Sequence, residues 1–170
     1  GNSTLTSGGN MSVQGDSTDL NIISGGTTTF GETTLAGNLD VTSAQDITQT
    51  GTLNIAGTAD LTSTNGDITL DDEDNVFGGK VTADGDNVTL AANGDLDADV
   101  TAKTNATLNA SDNLIAVVEA GGDANLTSGG DMTAKLDVDG NSTLTSGGNM
   151  SVEGDSTDLN IISGGTTTFG

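Results

Sequence analysis

The amino-acid sequence predicts an all-β fold, a parallel β-helix (β-solenoid) of about 18–20 residues per coil, right-handed winding favoured, with one coil carrying an inserted loop. Three observations lead there. A long segment occurs twice, apolar residues recur at a coil-length spacing, and glycine- or asparagine-rich corners separate short alternating runs.

Residues 1–31 read GNSTLTSGGNMSVQGDSTDLNIISGGTTTFG, and residues 140–170 read the same except that Glu153 stands where the first copy has Gln14. One super-repeat thus covers positions 1–139, and the chain reads as a window on a tandem array, a single continuous solenoid segment slightly longer than one such unit. A finer period lies inside it. Leu90, Leu108, Leu126 and Leu144 fall at equal intervals of eighteen positions. Six positions after each come Leu96, Leu114, Met132 and Met150, and eight after each come Ala98, Ala116, Ala134 and Val152, with Leu5, Met11 and Val13 echoing the set near the start. Spacing by two, as in the run 132–138, puts the apolar set on one face of a strand and the polar set on the other. No helical period is sustained, and Thr, Ser, Asn, Asp and Gly are poor helix formers.

Between the strands sit corners such as Ser7-Gly8-Gly9-Asn10, Asn93-Gly94 and Ser128-Gly129-Gly130-Asp131, residue types that turn the chain at little steric cost. Antiparallel hairpins would use the same corners, but they do not account for like residues repeating at a coil length. With each coil rising about 4.8 Å and between seven and eight coils in a super-repeat, the unit advances roughly 35 Å.

Two stretches depart from the period. Between Leu61 and Leu90 the leucine interval widens to twenty-nine positions and contains the acidic run Asp71-Asp72-Glu73-Asp74, so 71–80 reads as an inserted loop. Leu35, Val41, Ile47 and Leu53 are spaced by six, the habit of left-handed β-helices; the seven-residue run 132–138 is too long for a six-residue side.

Composition narrows the function. There are 26 Gly, three Phe, and no Pro, Cys, His, Trp or Tyr. The three positive charges are Lys80, Lys103 and Lys135, against 25 acids, a formal net charge of −22. Nucleic acid and anionic membrane surfaces are excluded as partners on charge, since both are bound through Lys and Arg. No apolar run approaches the ~20 residues of a membrane helix. No secretion signal lies within these residues, so an exported protein would carry its address elsewhere.

The run GNSTLTSGGNMSV, with its relatives GDANLTSGGDMTA at 122–134 and GTADLTSTNGDITL at 57–70, resembles the shaft repeats of filamentous-haemagglutinin-like exoproteins of two-partner secretion systems. That resemblance implies a right-handed β-helical fibre on a Gram-negative cell surface or in biofilm matrix, and adhesion rather than chemistry. The amino-terminal secretion domain of such proteins is not part of the sequence.

Candidate sites are few. Enzymes on β-helices work through tuned acids and bases in a cleft with aromatic sugar platforms, and here only carboxylate pairs remain, so no catalysis is expected and no cofactor is required. Asp71, Asp72 and Asp74 are the candidate Ca²⁺ ligands, carboxylates suiting a hard cation, although Asp beside Gly and Asn also serves turns. Asp97 and Asp99 alternate with Leu96, Ala98 and Val100 and should line an exposed strand face. Thr27-Thr28-Thr29 and Thr33-Thr34 resemble the flat threonine ranks of ice-binding β-helices, but the sequence does not show them repeating on successive coils, and solvent-face β-propensity accounts for them. Eight Asn-x-Ser/Thr sequons occur, at Asn2, Asn10, Asn87, Asn105, Asn109, Asn125, Asn141 and Asn149. In Leu114-Ile115-Ala116-Val117-Val118 the alternation leaves Ile115 and Val117 facing outward, either as a contact patch for another fibre or under cover of the 71–80 loop with its Phe77.

The expectation is a structural shaft of a secreted or cell-surface filament, its partners the neighbouring repeats of the same chain, other fibres, and host or matrix glycans. The alternative is a ligand-binding module whose surface takes glycan or calcium.

Overall fold

A computed structural model describes residues 1–170, and every regular element in it is a β-strand, nineteen in all. All pairings are parallel and all strands belong to one continuous sheet, wound into a β-solenoid of about 9 turns. The ladders read from the sequence are the inter-coil registers. Leu90 pairs with Leu108, Leu108 with Leu126 and Leu126 with Leu144. Leu96, Leu114, Met132 and Met150 stack likewise, as do Ala98, Ala116, Ala134 and Val152. Alternation sends these side chains inward, where 40 buried residues form a single core running along the axis. Each coil buries too little apolar surface to stand alone, so stability comes from stacking.

The early coils have three sides. Side one is formed by Ser3–Ser7, Leu20–Ser24, Leu39–Ser43, Ala59–Ser63 and Val81–Gly85. Side two takes residues 11–13 and 28–30, then Ile47–Gln49, Ile68–Leu70, Val88–Ala92, Ala106–Ala110 and Ala124–Ser128. Side three takes residues 15–17 and 33–35, then Leu53–Ile55 and Val76–Phe77. The sixfold spacing of Leu35, Val41, Ile47 and Leu53 reflects this triangle, because each places one inward residue on successive sides, all four buried. From Leu96 onward the third side runs straight into side one, giving the long strands Leu96–Ala102 and Leu114–Ala120 and a coil of eighteen positions, Leu96 to Leu114.

The expected ten-residue insertion at 71–80 is much smaller. Val76 and Phe77 pair with Asn54 and Ile55, and Phe77 is buried in the core. Val81 stacks on Ala59, which makes this coil only four positions longer than the later one from Ala98 to Ala116. The apparent gap arose because Leu61 and Leu90 lie in different columns: Leu61 stacks under Ala83 on side one, whereas Leu90 stacks on Leu70 on side two. The extra length is a turn at 71–75, closed by Asn75. This asparagine is fully buried; its Oδ1 accepts from Gln49 Nε2 (2.9 Å) and from the Leu53 amide (2.8 Å), while its Nδ2 donates to Gln49 Oε1 (2.8 Å). Nδ2 also reaches the carbonyls of Leu70 and Ala91 at 3.3 Å each. A buried amide is tolerated only when its donors and acceptors are met, as here.

Corners are held by a second type of ladder. Asp95 Oδ1 accepts the Asn113 amide (3.0 Å), Asn113 Oδ1 that of Asp131 (2.8 Å), Asp131 Oδ1 that of Asn149 (2.7 Å), and Asn149 Oδ1 that of Thr166 (3.0 Å). A parallel row runs from Asp46 through Asp67, Asn87, Asn105 and Asp123 to the Asn141 amide. Alternating Asp with Asn in the first row keeps carboxylates two coils apart, which lowers their repulsion.

The two copies of the repeated segment do not occupy the same side. Ser3 heads the column that continues through Leu20, Leu39, Ala59, Val81, Ala98 and Ala116 to Ala134 on side one. Its counterpart Ser142 lies in the column of Ala124, Ala106, Val88 and, further down, Met11, on side two. The super-repeat therefore spans seven coils and one side more.

Candidate binding surfaces

With the apolar set inside, function rests on the outward residues, and the solenoid sorts them by side. On side one the outward columns are acidic. One runs Asp40, Asp60, Thr82, Asp99, Val117, Lys135, Glu153, and the next Thr42, Thr62, Asp84, Thr101, Glu119, Asp137, Asp155. Asp97 and Asp99 face outward as the alternation predicts. Like charges stack directly at Asp40 and Asp60 and again at Glu119, Asp137 and Asp155, an arrangement that costs stability.

On side two the two outward columns are themselves uncharged, bordered by the corner row that holds Asp46, Asp67, Asp123 and Asp158. The principal outward column is Ser12, Thr29, Thr48, Thr69, Thr89, Thr107, Asn125, Thr143 and Asn160, nine positions on successive coils. A second column, Asn109, Thr127, Thr145 and Ile162, joins it where the side lengthens, its first position, Ala91, being buried. The Thr29 and Thr48 hydroxyls lie 3.2 Å apart and share a hydrogen bond. Two-wide threonine ranks do not repeat on successive coils, as the sequence suggests, but a one-wide row does, and the sequence reading did not see it. That reading took Thr27–Thr29 and Thr33-Thr34 as the rank, yet Thr28 and Thr33 are buried, and the true row runs across coils whose lengths differ.

The candidate calcium ligands serve a turn. Asp72 Oδ1 accepts the Asp74 amide (3.0 Å) and Oδ2 accepts from Thr52 Oγ1 (3.2 Å), while Asp71 and Asp74 point into solvent. The three carboxylates do not converge into a group able to hold a metal ion. Each lysine pairs with a carboxylate one coil away: Lys80 with Asp99 (3.1 Å), Lys103 with Asp86 (2.7 Å) and Lys135 with Glu153 (3.4 Å).

Ile115 and Val117 are bare, 53% and 40% exposed, in the midst of the acidic side. Cover by the 71–80 loop does not occur, since Phe77 belongs to the core. Around Ile115 a shallow groove is lined by Asp95, Asp97, Asp131 and Thr133. Of the sequon asparagines, Asn10, Asn87, Asn105 and Asn149 have their side-chain oxygen committed to a corner ladder, whereas Asn109 and Asn125 face outward on side two.

These features define a repeat β-solenoid whose sides differ in charge. The chain belongs to the family described as repeats of unknown function (DUF5649), whose model matches residues 17–84 and 103–160. Comparison with curated proteins and with solved structures finds no match.

Proposed function

We infer that this chain is a structural module, the shaft of a secreted or cell-surface bacterial filament of the haemagglutinin-like adhesin or matrix-fibre kind, and not an enzyme. One observation supports this reading above the others: a single apolar column continues through about 9 turns, so the molecule is a rod whose length scales with its repeats. The acidic exterior suits a fibre that must stay dispersed outside the cell, and the resemblance of 1–13, 57–70 and 122–134 to adhesin shaft repeats points the same way.

The second reading, a surface that takes glycan or calcium, draws on the groove around the exposed Ile115, lined by Asp95, Asp97 and Asp131. A glycan array and a Ca²⁺ titration on the whole chain separate the two. A spacer gives no saturable binding to either; a saturable ligand would replace the shaft reading with the binding one.

A further inference from the structure

We propose that Asn93-Gly94 is a built site of spontaneous backbone rearrangement, where the chain converts its own asparagine into aspartate and isoaspartate. Asparagine before glycine is chemically labile, because glycine has no Cβ to hinder its nitrogen. The Gly94 nitrogen bonds to Cγ of Asn93 and gives up its proton, while Oδ1 gains one. The adduct then releases the side-chain nitrogen as ammonia, which carries off the proton from Oδ1, and water opens the resulting succinimide at either carbonyl. A group that takes the first proton and supplies the second accelerates this step.

The corner supplies such a group. The Gly94 N–H donates to Ser111 Oγ, one coil further on, at 2.7 Å, and the Ser111 hydroxyl donates to Asn93 Oδ1 at 3.5 Å. A single hydroxyl thus bridges the attacking nitrogen and the oxygen of the carbon it attacks. Asn93 and Ser111 are exposed, so water reaches the site, and Gly94 has a φ of 107° with no atom within 4 Å of where a Cβ would stand. The succinimide ring therefore has room to form outside the stack. The chain's other Asn-Gly pair, Asn65-Gly66, is closed: Gly66 is buried against Asp46, and Asn65 Nδ2 donates to the Ala44 carbonyl at 3.4 Å. Conversion of Asn93 adds a carboxylate to the corner, and isoaspartate lengthens the main chain there. The residue changed is the one whose backbone N–H donates to the Asn75 carbonyl (2.7 Å) in the longest coil.

Incubation of the whole chain at mildly alkaline pH tests this. Peptide mapping by mass spectrometry reads the amide-to-acid mass gain at both Asn-Gly pairs, and an isoaspartyl methyltransferase reads the rearranged product. In the native chain Asn93 should convert about ten-fold faster than Asn65. In guanidinium, where only local sequence acts, the two rates should agree within about two-fold, and Asn93 should convert no faster than it does in the fold. Ser111→Ala should slow Asn93 about five-fold in the native chain, leaving Asn65 and both denatured rates unchanged. Circular dichroism confirms that the variant keeps its β signature; if it does not, the native and denatured rates of the unsubstituted chain carry the test by themselves. The proposal is overturned if Asn65 keeps pace with Asn93 in the native chain, or if folding slows Asn93 below its denatured rate. It is equally overturned if a folded Ser111→Ala chain converts Asn93 at the original rate or faster.

Discussion

Segments 1–31 and 140–170 differ at one position, yet they live in different surroundings. Local conformation is shared: Gly15 and Gly154 both have positive φ, 118° and 111°, and Ile23 and Ile162 both face outward, 51% and 58% exposed. Burial is not shared. Phe30 is 0% exposed and Phe169 63%, while Leu5 is 36% exposed and Leu144 0%. Within residues 1–170 the first copy meets the following coils and the last copy the preceding ones. Sequence sets which way each side chain points; stacked neighbours decide whether that direction is dry. The single difference follows the same logic. Glu153 has Lys135 across the coil boundary, whereas Gln14 sits with Asp16 and Glu32, where another carboxylate would be repelled.

The comparison can be broken at several points. Phe30→Ala should cost about 3–5 kcal/mol in chemical denaturation, and Phe169→Ala less than about 0.5 kcal/mol; equal losses would mean that stacking does not decide burial. Asn75→Ala, in the longest coil and outside both copies, should cost about 2–3 kcal/mol by stranding Gln49 and the Leu53 amide, with faster hydrogen exchange at Leu53 as its local sign. Gly154→Ala should cost on the order of 2 kcal/mol, because a Cβ there meets the Leu136 backbone; Gly15→Ala meets open space and should lose only the conformational strain, about 1 kcal/mol. Smallest is the natural exchange itself. Glu153→Gln should shift stability by about 0.5 kcal/mol and only at low salt, since the Lys135 pair is exposed.

Much of the core was legible because two-residue alternation is a local property. Leu90, Leu108, Leu126 and Leu144 announced their column, and Leu35, Val41, Ile47 and Leu53 held the triangular cross-section in their spacing. What escaped depended on register between coils. The coil from Ser3 to Leu20 is five positions shorter than the coil from Ala59 to Val81. A fixed period therefore loses the row from Thr29 to Thr107 and turns a modest lengthening into an apparent insertion. Asn75 and Gln49 escaped for a related reason: far apart in the chain, they meet only because a coil of unusual length intervenes. The carboxylates of 71–74 looked like a ligand set because composition does not reveal that Asp72 is already occupied by its own turn.

Seven coils and one side make an incommensurate thread. Where this super-repeat follows itself in tandem, each unit is turned by one flank relative to the last, and three units restore the original heading. An outward column of one unit would then pass to a different flank in the next, so the surface pattern winds about the axis like a screw thread instead of running straight along the rod.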